Sequence, residues 1–393
     1  AYGQWTKKAG FFRLENAGSS NARLRELALD DARFGRPTKA DSTEVVLFTR
    51  QDFETFPDYH VTDLEFQNPV QVTEANPQQA EFNWGRRILF DYETHDGVRL
   101  QGTLGIPYDY VDGEKRPMLV NYYEKNSQNL HSYPTPISRD TPMFAEYVSA
   151  GYLVMQPDVH FRIGRTHSEM LEAINLAIDK VEEMGYVDPD RIGLHGHSFS
   201  GQGSAYIATH SDRFAAIVAG AAATNLISDF NQLWKSSGTN QHGYDTYGQG
   251  RFGTNPYDDL ELFLDQSATP NAGNMNTPLL ILHGTADGSV EWEPGANRVL
   301  DIPASGRATV ISGSFGDTSA NWTPAGYVEA PTPIPDYLQQ QADGSYTSPG
   351  GLAFGSDLSY GNRATHVLAH LEDSGEKASQ GVFTVSESEV FPL

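Results

Sequence analysis

The chain is 393 residues long, with 51 acidic and 27 basic side chains and a formal net charge of −24. A surface so acidic argues against nucleic acid and anionic membranes as partners. The lack of cysteine excludes thiol nucleophiles, thiolate metal sites and disulfides, and leaves the redox compartment open.

Hydrophobic residues make up 38% of the chain, enough for a large core, and no apolar run approaches the ~18 residues of a membrane-spanning helix. The opening AYGQWTKKAG lacks the tracts of a signal peptide and reads as a mature, trimmed or fragmentary start. Over residues 1–87, short β-prone runs such as GFFRL and TEVVLFTR are separated by polar turns. The stretch from DYHVTDLEF to ANPQQAEFNWG alternates like half-exposed antiparallel strands.

Over residues 88–300, strands alternate with helices. RILFDYETHDGVRLQGTLGIP predicts a hairpin, and RPMLVNYYE and GYLVMQPDV are apolar runs of buried-strand length. HSEMLEAINLAIDKVEEMGY carries apolar residues at helical spacing, and DRIGLHGHS, RFAAIVAGAA and TPLLILHGTAD supply further strands. Continuous apolar strands between amphipathic helices predict an α/β class with a mostly parallel sheet covered on both faces. Residues 301–393 change texture again. A Pro-, Gly- and Ser-rich stretch reads as loop or linker, and RATHVLAHLEDSGEKASQGVFTVSESEVFPL mixes a short apolar run with β-prone residues.

Where DRIGLHGHS ends, the sequence Gly196-His197-Ser198-Phe199-Ser200-Gly201 turns into a helix of small residues. A serine hydroxyl is a poor nucleophile unless it is held at a fixed angle beside a base. A strand–turn–helix elbow does this, and small residues two before and two after the serine let the helix pass close to the strand. Gly196 and Ser200 hold those positions, Ser200 replacing the commoner glycine. Ser198 is read as the nucleophile, against the plainer alternative of a Gly/Ser-rich turn. In such folds the partners follow in the order serine, acid, histidine. Asp287, just beyond the apolar strand TPLLILHG, is the expected acid: its carboxylate can fix a histidine tautomer and stabilise the imidazolium.

Together, GHSFSG, PLLILHGTADGSV, GYLVMQPDV and GYVDPDRIGLHGHS resemble the prolyl oligopeptidase family of serine peptidases, in the branch with dipeptidyl and acylaminoacyl peptidases. The resemblance implies an α/β-hydrolase fold for residues 88–300. It makes residues 1–87 similar to one or two blades of the β-propeller that precedes that domain. A propeller needs more blades than this, so the resemblance implies a longer protein or an additional chain covering the open strand edges. In MLVNYYEKN it makes Tyr123 an oxyanion donor, with Tyr122 as the alternative, and the backbone N–H of Phe199 is the second donor.

The family's histidine follows a strand soon after the acid, yet the corresponding RATVISGSFGDTSANW contains none. Only His366 and His370 follow Asp287. His366 is the expected base and His370 the alternative, unless the site lacks one. Their i, i+4 spacing is also that of metal ligands, but no HExxH glutamate or third ligand accompanies them. No metal or organic cofactor is expected. The implied function is a serine peptidase cleaving short peptides through an acyl-enzyme, with a small peptide as partner. A carboxylic-ester hydrolase on the same fold is one alternative, and an inactive hydrolase scaffold kept for binding is another.

Overall fold

The structure, a computed structural model, describes residues 1–134, 141–234, 237–284 and 287–290, and the backbone of four strands at 308–313, 339–340, 346–347 and 353–354. Strand β1 (Ala9–Glu15) pairs antiparallel with β2 (Arg23–Asp30). A second antiparallel sheet holds β3 (Arg33–Phe34), β4 (Thr38–Lys39), β5 (Val46–Gln51), β6 (Asp58–Thr62) and β7 (Val70–Gln71). The two-stranded β1–β2 sheet is too small to stand alone, and aromatic rings join it to the second sheet. Phe11 of β1 stacks on Phe66 at 4.5 Å, and it lies 5.3 Å from Phe34 and 6.0 Å from the buried Phe48. Pro77–Glu81, expected to be extended, instead forms a 3-10 turn. Pro77 presets the φ of a helical first turn, which overrides the alternation.

An eight-stranded sheet follows. Strands β8 (Arg86–Glu93) and β9 (Arg99–Ile106) form the expected hairpin. Beyond them come β10 (Arg116–Asn121), β11 (Leu153–Pro157), β12 (Val187–His197), β13 (Ala216–Gly220), β14 (Leu279–Gly284) and β15 (Ala308–Gly313). The spatial order is β15-β14-β13-β12-β10-β11-β9-β8. Strands β10 to β15 pair in parallel, and β9 runs antiparallel to both its neighbours. This is the mixed, mostly parallel sheet of an α/β-hydrolase fold. Its last strand lies past residue 300, in the segment of altered texture.

Helices α1 (Phe144–Ser149), α2 (Thr166–Glu183) and α3 (Phe199–His210) pack on this sheet. On α2, Met170, Ile174, Ala177, Ile178 and Val181 recur every three or four residues and are all 0% exposed. Each larger side chain among them contributes about 1.5–3 kcal/mol through burial, which holds the helix against the sheet. Three short helices, α4 (Leu226–Phe230), α5 (His242–Thr246) and α6 (Leu260–Asp265), lie between β13 and β14. Leu226, Phe230, Phe252 and Phe263 give this excursion a small core of its own.

The chain leaves β10 for β11 on one side and returns to β12 on the other. Such a reversal opens a crevice beyond the carboxyl ends of the strands. The loops after β10, β12 and β14 emerge at that edge. The N-terminal sheets meet this body at Trp84, whose ring stacks on Tyr133 at 5.3 Å and whose N–H donates to the Phe53 carbonyl at 2.8 Å.

Candidate active site

Ser198 caps α3 with φ 57° and ψ −120°, a conformation L-residues rarely adopt. Holding it costs on the order of 1–3 kcal/mol, so the surroundings must enforce it. The Ser198 N–H donates to the Gly220 carbonyl of β13 at 2.8 Å, and the Ser198 carbonyl accepts from the Gln202 N–H at 2.8 Å. The glycines are sterically required. A Cβ on Gly196 would stand 2.1 Å from the Ser200 carbonyl oxygen, and one on Gly201 would stand 2.2 Å from that of Gly220. Ser200 does more than fit. Its hydroxyl accepts from the His197 N–H and donates to the His197 carbonyl, both at 2.9 Å, bracketing the turn from inside. Ser198 itself is only half-buried.

The two tyrosines after β10 face opposite ways. Tyr122 is 2% exposed and donates to the Ser200 carbonyl at 2.9 Å, so it props the elbow from below. Burial pushes its phenol well above the usual tyrosine range. Tyr123 is 38% exposed, its ring 6.0 Å from that of Phe199, and its hydroxyl donates to Gln249 Oε1 at 3.3 Å. Gln249 in turn donates to Glu124, which also takes the Arg251 guanidinium, each at 2.9 Å. Sequence reasoning passed over Glu124, Gln249 and Arg251, because their meeting depends on the chain returning through the excursion after β13.

Asp287 follows β14 within a tight loop. Its N–H donates to the Gly284 carbonyl at 3.1 Å, and its Oδ1 accepts from the N–H groups of Ser289 and Val290 at 2.9 and 3.0 Å. The buried His283 ring donates through Nε2 to the Val290 carbonyl at 2.9 Å. Ser289 and Val290 line the same small cavity as Ser198. The structure therefore brings the nucleophile elbow and the acid loop to one edge of the sheet.

His366 and His370 lie outside the described residues. Two other histidines are structural. His195 accepts from the Asn121 amide at its Nδ1 at 3.0 Å, and burial pushes it down to about 3. His167 is 0% exposed on α2, its Nδ1 donating to the Gln266 carbonyl at 2.8 Å. Burial pushes it down to about 4, because α2's register turns its first residues against the excursion after β13. Among the described residues, no three histidine, aspartate or glutamate side chains gather as a metal site.

The cavity beside Ser198 has a volume of about 80 Å³. Phe199, Gln202, Asp229, Trp234 and Gln241 contribute to its wall. Asp229 is 2% exposed, and burial pushes its carboxyl up to about 6. Asp245 is 0% exposed, and burial and then the charge of Asp229 push it well above the carboxylate range. The sequence signal for Asp229 was its place in NLISDF, where it shares a helical face with the apolar Leu226 and Phe230.

Residues 164–300 match the model of the prolyl oligopeptidase family. The uncharacterized peptidase YuxL of Bacillus subtilis is 27% identical over 253 residues, covering 60% of this chain and 36% of that protein. Dipeptidyl-peptidase 5 of Porphyromonas gingivalis is 25% identical over 240 residues, covering 56% of this chain and 32% of its own length. The chain thus spans about a third of the length of these curated relatives. Among solved structures, the acylaminoacyl peptidase of Pyrococcus horikoshii superposes with a TM-score of 0.57 at 17% identity, over 74% of this chain and 46% of that one. The AtxE2 isopeptidase does so with a TM-score of 0.59 at 16% identity, over 74% and 45%. These structural likenesses show the fold.

Proposed function

We propose, from the prolyl oligopeptidase family domain that residues 164–300 carry, that this chain is the catalytic part of a serine peptidase acting on short peptides. The observation that carries the reading is the backbone of Ser198, held at φ 57° where a helix begins against a parallel sheet. No structural economy accounts for such strain, and presenting a hydroxyl to a cleft does. The same reading takes residues 1–87 as a propeller remnant, 88–300 as the catalytic domain and 301–393 as an atypical segment carrying the base. Further blades or another chain would lie against the open N-terminal edges.

In this mechanism Ser198 Oγ attacks the scissile carbonyl while a histidine takes its proton. His366 is the first candidate for that base and His370 the second. Asp287 keeps the imidazole oriented; its Oδ1 is engaged by its own loop, so Oδ2 is the oxygen the ring would meet. The carbonyl oxygen gains charge and is met by the Phe199 N–H, at the start of α3 where backbone donors have no intrahelical acceptor, and by the Tyr123 hydroxyl. Collapse breaks the C–N bond, the histidine returns its proton to the leaving amine, and the acyl group stays on Ser198. Water then repeats the cycle and frees the acid.

Peptidyl-nitroanilides and short-chain nitrophenyl esters test the reading in parallel. A peptidase turns over the amides and loses turnover in Ser198→Ala. Turnover of esters alone reassigns the site to ester hydrolysis. His366→Ala and His370→Ala then identify the base, since only loss of the true base lowers kcat by about 10³ or more.

A further inference from the structure

We propose that the cavity beside Ser198 is a selectivity pocket for an unbranched side chain ending in an ammonium group, so that lysine is favoured at the acyl-side residue of the substrate. The inference rests on the serine hydrolase reading. A carbonyl bonded to Ser198 Oγ, with its oxygen at the Phe199 N–H, directs the side chain of its own residue into the space that Ser198 and Phe199 border.

Three observations give that space its chemistry. The first is a buried carboxyl in its wall. Asp229 takes one donor, the Gln232 amide on Oδ1 at 2.9 Å, and has no cationic partner among the described residues. The second is a pair of buried amides on the same wall. Gln241 Oε1 and Gln202 Nε2 have no hydrogen-bond partner, although the two side chains are 3% and 4% exposed. Buried polar atoms are costly to leave without a partner, so a wall with several of them is built for something that enters. Gln241 Oε1 and the second Asp229 oxygen are acceptors suited to an ammonium, and Gln202 Nε2 can donate to the substrate backbone. The third is placement: Ser198, Asp229 and Gln241 border one and the same space of about 80 Å³, so an arm that enters beside the serine meets the carboxyl. Behind the wall, Asp245 has both carboxyl oxygens without a hydrogen-bond partner. Burial and the neighbouring Asp229 charge raise the Asp245 carboxyl the further of the two, so the pair's negative charge falls first on Asp229, where the ammonium arrives.

The test compares lysine with norleucine, which has the same arm without the ammonium, and with phenylalanine, as acyl-side residues of otherwise identical peptidyl-nitroanilides. For the wild-type chain near pH 8, kcat/KM is expected to favour lysine over norleucine by at least about tenfold, and over phenylalanine as well. In Asp229→Asn the lysine-to-norleucine ratio falls to near one. Norleucine or phenylalanine equal to or better than lysine in the wild type overturns the proposal, and so does an unchanged ratio in a folded Asp229→Asn. Calorimetric binding of N-acetyl-lysinamide and N-acetyl-norleucinamide to Ser198→Ala reads the pocket without chemistry. Tighter lysine binding is expected, and equal or undetectable binding overturns it. A wild type that fails to react with a fluorophosphonate sinks the hydrolase reading alone, and the binding comparison still decides the pocket.

Discussion

Tyr122 and Tyr123 are adjacent in sequence and opposite in duty. Tyr123→Phe removes a hydroxyl proposed to meet the oxyanion and is expected to lower kcat by about 10²–10³ with little change in KM. Tyr122→Phe removes the buried bond to the Ser200 carbonyl and is expected to cost about 1–2 kcal/mol of stability. Steady-state kinetics and urea melts on both variants separate the roles, and the converse pattern contradicts them. The family resemblance put Tyr123 ahead of Tyr122, but which ring turns inward is decided by the register of the buried strand both follow, and it is Tyr122 that is buried. The Asp229–Asp245 couple makes a pH prediction. Both carboxyls are raised in the folded state, Asp229 to about 6 and Asp245 further. A raised carboxyl binds its proton more tightly folded than unfolded. Its stabilisation is full below the ordinary aspartate value of about 4. It is lost as pH climbs through about 6 and beyond. Melting temperatures of wild type and Asp245→Asn across that window should therefore shift in the variant's favour as pH rises, and an opposite slope contradicts the couple.

At the scale of elements, the β12–α3 junction governs the site. Gly201→Ala places a methyl against the Gly220 carbonyl of the neighbouring strand. Backbone cannot yield there without lifting α3, so a loss of about 2–4 kcal/mol and of Ser198 reactivity is expected. Differential scanning calorimetry with active-site titration checks this, and a fully stable, reactive variant would refute the tight-crossing argument. Ser200→Gly, by contrast, loses only the bracket on His197 and should remain reactive. This junction was legible because its requirements are local: an apolar strand, a glycine, a serine and small residues in fixed order. Helix α2 was legible from its spacing, and the hairpin of β8 and β9 from its two apolar runs. The excursion of α4, α5 and α6 was not. Helices of five or six residues are too short to show a period, and they are held by caps such as Asn225 on Ser228 and by packing around Phe263. One wall of the proposed pocket, with Asp229, Trp234 and Gln241, comes from this excursion, which is why Asp229 escaped the sequence reading. Pro77–Glu81 was misjudged because a single proline outweighed an alternating pattern.

For the whole molecule, the net charge of −24 makes a field that gathers cations. Raising salt from about 0.05 to 0.5 M should lower kcat/KM for a lysine substrate several-fold and leave a neutral substrate nearly unchanged, since screening acts on the charged partner alone. Equal salt effects on both would remove steering from the account. The overall architecture was readable from the switch between alternating and continuous apolar runs. A histidine base was not, because the sequence after β15 does not repeat the family's pattern and His366 and His370 carry no local signature of their own. The measurement that bears most directly on the account is reaction of the wild-type chain with a fluorophosphonate, followed by mass-spectrometric mapping of the adduct. Rapid, stoichiometric modification at Ser198 that vanishes in Ser198→Ala is the predicted result. No adduct, or an adduct on another residue, would contradict it.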